Sequence, residues 1–166
     1  MNIADTIATR PQTLIALVFA TALATIAGAW GFELMGYLPC PLCLKQRLPY
    51  YAVMPLSLIA LWLYRMGRGG ASAAVMIACA ALMIFGAGLG AYHAGVEWHF
   101  WQGPTSCAAG GGFDPAKGVL PDLSAGQFIS CTEAAIRIFG ISLAGYNALI
   151  APVLAALSLL AARRSI

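Results

Sequence analysis

The sequence predicts an all-α membrane protein, a four-transmembrane-helix bundle with two outward loops, and three observations carry that expectation. Hydrophobic residues make up 61% of the 166 and charged residues only 9%, with a mean hydropathy of +0.82, well outside the balance of a soluble domain. The apolar residues gather in four blocks, each near the roughly 20 residues a helix needs to cross the hydrocarbon core. No linker rich in Ser, Pro or charge separates the blocks, so residues 1–166 read as a single integral membrane domain.

The first block covers residues 14–30. Arg10 precedes it as in a secretory signal, but the apolar run is longer than a signal core and no clear small-x-small cleavage site follows, so it is expected to span. An outward loop over 31–47 leads to the second block, 48–64. A short turn from Arg65 to Gly70 precedes the third, 71–91, and a long loop over 92–141 precedes the fourth, 142–162. Arg10, Arg65, Arg68, Arg163 and Arg164 flank the spans on one side, against Lys45, Arg47 and Arg137 on the other; Lys117 lies deep in the long loop and is discounted. The positive-inside bias puts both termini in the cytoplasm and the two loops in the periplasm.

A net charge of +3 with scattered arginines lacks the basic stripe of a nucleic-acid binder. The spans hold few ionisable residues beyond the boundary positions Glu33, Arg47 and His93, which argues against a transporter.

Five cysteines punctuate the chain. Cys40 and Cys43 form a CPLC motif in the first outward loop, Cys107 and Cys131 lie in the second, and Cys79 is inside the third block. Disulfides persist in oxidising compartments such as the bacterial periplasm, which agrees with the orientation drawn from charge. A C-x-x-C pair serves zinc sites, haem attachment and redox centres alike. Haem attachment needs His directly after the second Cys, where Leu44 stands. Zinc needs two further ligands, and Cys107 and Cys131 are 23 intervening residues apart, so no metal is expected.

For a redox role, a helix beginning near Cys43 or Leu44 puts the Cys43 thiol at the positive end of a helix dipole. Arg47, one turn deeper on the same face, can stabilise the anion. Cys79, flanked by Ala, Ile, Met and Leu, reads as an inert small hydrophobe. Cys107 and Cys131 could staple the loop, but the Gly110, Gly111, Gly112, Pro115 and Pro121 between them build no core, so the pair is expected to move and to exchange with an incoming thiolate. The segment from Val96 to Trp101, VEWHFW, which contains His99, reads as an interfacial aromatic stretch.

Four spans, PCPLCLKQR before the second, and a cysteine pair in the second outward loop together resemble the DsbB disulfide-bond-formation family over the whole length. The resemblance implies a quinone-dependent thiol oxidoreductase of the bacterial inner membrane. Its cofactor would be ubiquinone or menaquinone, and its partner a DsbA-like periplasmic protein of thioredoxin fold. It implies that Cys107 meets the partner's thiol, that Cys131 then pairs with Cys40, and that Cys43 meets the quinone with Arg47 beside it. His93, in AYHAGVEW, resembles a histidine near the quinone pocket. The Gly-rich stretch between Cys107 and Cys131 departs from the family's best-known members. In the vitamin-K-epoxide-reductase-like family the loop cysteines precede the C-x-x-C, whereas here CPLC comes first. A paralogue serving one dedicated donor, and a non-catalytic tetraspan protein braced by disulfides, are the other readings the residues allow.

Overall fold

A computed structural model describes residues 10–104, 107 and 130–166. The Gly-rich stretch expected to move, 108–129, lies outside the described residues, as does Lys117. Four long helices dominate: α1 (Pro11–Leu34), α2 (Pro41–Arg65), α3 (Gly69–Glu97) and α4 (Leu143–Ser165). A two-residue-per-strand hairpin, β1 (Arg137–Ile138) and β2 (Ile141–Ser142), leads into α4. Its Phe139-Gly140 turn has φ of 49° and 82°, the double left-handed conformation that suits the twist of a tight hairpin.

The helices start and stop for local reasons. Pro11 and Pro41 sit in the first turns of α1 and α2, where a missing N–H costs nothing. Ser142 caps α4 by accepting the Gly145 N–H at 3.1 Å. At the ends of α1 and α2, Gly36 and Gly67 adopt φ of 95° and 74°, and the next N–H reaches back to the last turn, Tyr37 to Phe32 and Arg68 to Leu63. At the end of α3, His99 takes the same position with φ 60°. The connection expected over 31–47 shortens to Met35–Cys40, because both flanking helices run on past their apolar stretches.

Each helix packs on its neighbour in sequence, and α1 closes the ring against α4. The core between them includes Ile15, Val18, Tyr50, Met76, Met83 and Leu154. Much of the buried surface is small: Ala60, Ala73, Ala80, Ala151, Ala155, Ser158 and Ala161. Small residues let helix backbones approach, which is how helices associate when lipid removes the hydrophobic drive. Gly90 marks the tightest approach, since a Cβ there would lie 2.8 Å from the Ala148 backbone nitrogen and 3.0 Å from Asn147 Nδ2. Cys79 is fully buried in this core, as an inert hydrophobe should be.

Large apolar side chains also face outward, among them Leu23, Leu58, Trp62, Ile84, Phe85 and Leu149. Among the described residues α1, α3 and α4 are long and apolar enough to cross a membrane. α2 is as long, but Lys45, Gln46, Arg47, Pro49, Tyr50 and Tyr51 dilute its apolar character. The fold is that of a helical membrane protein.

Candidate functional site

The start of α2 and the end of α3 assemble the site. α2 begins at Pro41, earlier than the sequence suggests, so Cys40 becomes the N-cap and Cys43 lies in the first turn. The Cys43 N–H donates to Cys40 Sγ at 3.1 Å, and the two sulfurs are 2.6 Å apart. A helix N-terminus favours negative charge on the cap, so Cys40 receives the stabilisation expected for Cys43. In the dithiol form the Cys43 thiol, hydrogen-bonded to Cys40, holds the Cys40 thiol well below the ordinary range, and His93 adds to the effect. The Cys40 sulfur, burial and the nearby Cys40 charge push Cys43 the other way. The backbone donor expected to favour Cys43 thus goes to Cys40.

Arg47 also differs from expectation in what it holds. Its guanidinium donates to Glu33 Oε2 of α1 at 2.7 Å, tying the two helices together. Cys43 and Arg47 still share a wall: both line a cavity of about 450 Å³ bounded by α1, α2, the hairpin and α4, whose other walls include Phe32, Tyr37, Tyr146 and Ile150. A second cavity, of about 30 Å³, also borders Cys43 and is lined by Cys40, His93, Glu97 and Glu133. Cys43 is the residue of the CPLC pair that borders both.

Cys107 and Cys131 form a disulfide with a Cα–Cα distance of 5.4 Å. Together with Cys40, Leu42 and Val96 they make one buried apolar cluster, and Cys43 packs against it. The four cysteines outside the helix core, far apart in sequence, thus meet in one place.

His93 is 2% exposed, buried beneath this cluster and not facing water. Its Nε2 is 3.6 Å from Cys40 Sγ, and its Nδ1 is 2.7 Å from Gln46 Nε2. Gln46 Oε1 accepts from Asn147 Nδ2 at 2.7 Å, and Asn147 Oδ1 accepts from the Tyr50 hydroxyl at 2.6 Å. Glu97, one turn after His93, places Oε1 3.8 Å from His93 Nε2, while its Oε2 is buried without a hydrogen-bond partner among the described residues. Cys40, Cys43 and His93 bring ligand atoms within 4.8 Å of one another, a spacing a metal ion could bridge if the His93 nitrogen offered a lone pair. His99 lies apart from the site, with Nδ1 3.3 Å from the Val96 carbonyl.

Sequence reasoning missed Gln46, Tyr50, Asn147 and Glu97. The signals were present: Asn147 is a polar residue inside an apolar block, and Glu97 stands four residues after His93 on one helical face.

A helical membrane protein with two cysteine pairs gathered at the end of one helix, beside an apolar cavity, belongs to the class of membrane thiol–disulfide proteins. Residues 11–161 match the family of the disulfide bond formation protein DsbB, and the chain belongs to that family. It is also similar to an uncharacterized protein of Rickettsia prowazekii (strain Madrid E), at 30% identity over 117 residues, 69% of this chain and 65% of that one. The chain thus spans about 65% of the length of that curated relative. No solved structure matches it significantly.

Proposed function

We propose that this protein reoxidises a DsbA-like periplasmic dithiol protein of thioredoxin fold and passes the electrons through its two cysteine pairs to a membrane quinone. In this reading all four long helices span the bacterial inner membrane, both termini are cytoplasmic, and the CPLC motif and the Cys107–Cys131 disulfide face the periplasm. The observation that carries it is the position of the CPLC pair: Cys40 is buried with Cys107 and Cys131, while Cys43 borders the 450 Å³ cavity with Arg47.

The partner's thiolate attacks Cys107, and its second thiol resolves the mixed disulfide, leaving the partner oxidised and both Cys131 and Cys107 reduced. Cys131 attacks Cys40 of the oxidised CPLC pair; the Cys40–Cys43 bond breaks and its electron pair leaves on Cys43. With Cys40 held in a disulfide, the Cys40 hydrogen bond and charge that oppose ionisation of Cys43 are absent, which leaves burial and Glu97 opposing it. The cavity suits a quinone head group: it is apolar along Phe32 and Ile150, and Arg47 lies on its wall. A bound quinone accepts two electrons and two protons there. Arg47, kept in place by Glu33, presents a fixed positive charge beside Cys43.

The test is quinone absorbance after mixing purified protein with a reduced thioredoxin-fold dithiol and a short-chain ubiquinone or menaquinone. Catalytic reduction that vanishes in Cys43→Ser is the expected result. No reduction with several donors and both quinones overturns the reading in favour of a disulfide-braced membrane scaffold.

A further inference from the structure

We infer that the buried amides of Gln46 and Asn147 hold His93 as a fixed hydrogen-bond donor to Cys40, which makes both of them positioning residues for the thiol chemistry of the CPLC pair. The inference deepens the function proposed above and rests on it.

The direction of the hydrogen bonds follows from one group that can act in only one way. The Gly86 backbone carbonyl accepts and cannot donate. Asn147 Nδ2, 3.4 Å from it, is therefore the amide's nitrogen, and the same nitrogen donates to Gln46 Oε1 at 2.7 Å. The Tyr50 hydroxyl donates to the remaining Asn147 oxygen. Gln46 then has only its nitrogen to offer His93 Nδ1 at 2.7 Å, so Nδ1 accepts. The ring proton is on Nε2, the nitrogen 3.6 Å from Cys40 Sγ. Every amide atom in this chain has a partner, and Gln46, His93 and Asn147 are all more than nine-tenths buried. Reversing any one amide would place donor against donor or oxygen against oxygen, at a cost of about 1–3 kcal/mol for a buried polar group left unpaired.

This arrangement decides what His93 can do. With Nδ1 occupied and Nε2 protonated, neutral His93 has no lone pair for a metal ion or for the proton of a thiol. It can donate to a sulfur anion. When Cys107 displaces Cys40 from Cys131, the Cys40–Cys131 bond breaks, the Cys107–Cys131 bond forms, and the electron pair leaves on Cys40. His93 Nε2–H faces that anion and keeps its proton, and the Cys43 N–H donates to it from the other side. Among the described residues, the remaining groups around Cys40 are the Cys43 thiol on α2, Glu97 on α3 and Glu133 before the hairpin. Arg47 is engaged with Glu33. The neutral donor thus offsets an acidic surround.

The test needs neither quinone nor partner, so it can fail while catalysis succeeds, and the reverse. In reduced protein, ¹⁵N NMR of His93 and the pH profile of Cys40 alkylation, read by peptide mass spectrometry, are recorded for the native chain, Gln46→Met and Asn147→Leu. The expected result is a single Nε2–H tautomer in the native protein. Both variants mix tautomers, and the midpoint of the Cys40 alkylation profile rises by about one pH unit, the scale of one charge-assisted hydrogen bond. A native ring proton on Nδ1, or a Cys40 profile unmoved in folded Gln46→Met, overturns the inference. The native tautomer needs no variant to fold.

Discussion

The two cysteines of the CPLC motif are three residues apart yet stand in opposite surroundings. Cys40 caps a helix, receives the Cys43 N–H, faces a histidine fixed by amides, and shares an apolar cluster with the second pair. Cys43 donates its own N–H to Cys40 and borders a large cavity whose lining includes the Arg47 guanidinium. The difference teaches that one turn of helix can separate two chemical tasks. The N-cap position brings a backbone donor to the Cys40 sulfur, and Cys43, in the first turn, supplies that donor.

The largest expected effect comes from removing the cavity-side sulfur. Cys43→Ser should lower quinone reduction at least roughly 10³-fold, as loss of a covalent participant does, while Cys40 remains able to form a mixed disulfide with Cys131. Non-reducing electrophoresis of the variant after exposure to a reduced donor checks this. If Cys43→Ser turned over normally, the division between the two sulfurs would be lost.

Arg47→Ala should come next, slowing quinone reduction by about 10- to 100-fold through loss of a preorganised charge. Arg47→Lys should recover part of the loss, because a lysine keeps the charge but not the planar fork. Steady-state rates at varied quinone concentration measure both, and Cys40 alkylation should be unaffected by either. An effect of Arg47→Ala on Cys40 reactivity would blur the two sides.

His93→Leu acts on the opposite side. In the native dithiol form Cys40 has a lowered pKa, so its thiolate persists at pH values below the ordinary thiol range near 8.5 and is lost only as pH falls through the lowered value. Removing the His93 donor raises that pKa, and the midpoint of the Cys40 alkylation profile should move up by about one pH unit. The smallest effect is expected from Tyr50→Phe, which leaves Asn147 Oδ1 without its donor. A loss of about 1 kcal/mol of stability, read from thermal unfolding in detergent, would place the tyrosine as the chain's anchor, and a silent variant would show that the amides hold themselves.

Much of the site was legible before folding was considered, though unevenly. Cys40, Cys43, Cys107 and Cys131 stand out because cysteine is rare and C-x-x-C spacing has few uses. Arg47 stands out as a charge at a span boundary. Gln46 sits beside Arg47 in the same motif but has no signature, since a boundary glutamine is ordinarily solvated. Only the antiparallel approach of α2 to α3, and of α3 to α4 at Gly90, buries it against His93 and Asn147. The early start of α2 was similarly hidden, because Pro39 and Pro41 read as loop residues until Pro41 is seen to occupy the first helical turn.

The amino-acid sequence by itself determined the membrane class, the apolar blocks and the four cysteines available for exchange. Apolar block length, charge near the block ends and cysteine spacing are local properties that need no packing to be read. The tertiary structure alone decided which sulfur receives the helix cap, that Arg47 engages Glu33, and that the His93 proton faces Cys40. Those outcomes depend on hydrogen bonds between residues such as Gln46 and Asn147, 101 positions apart. A directional bond across that separation is set by how closely the backbones approach, which no local pattern encodes.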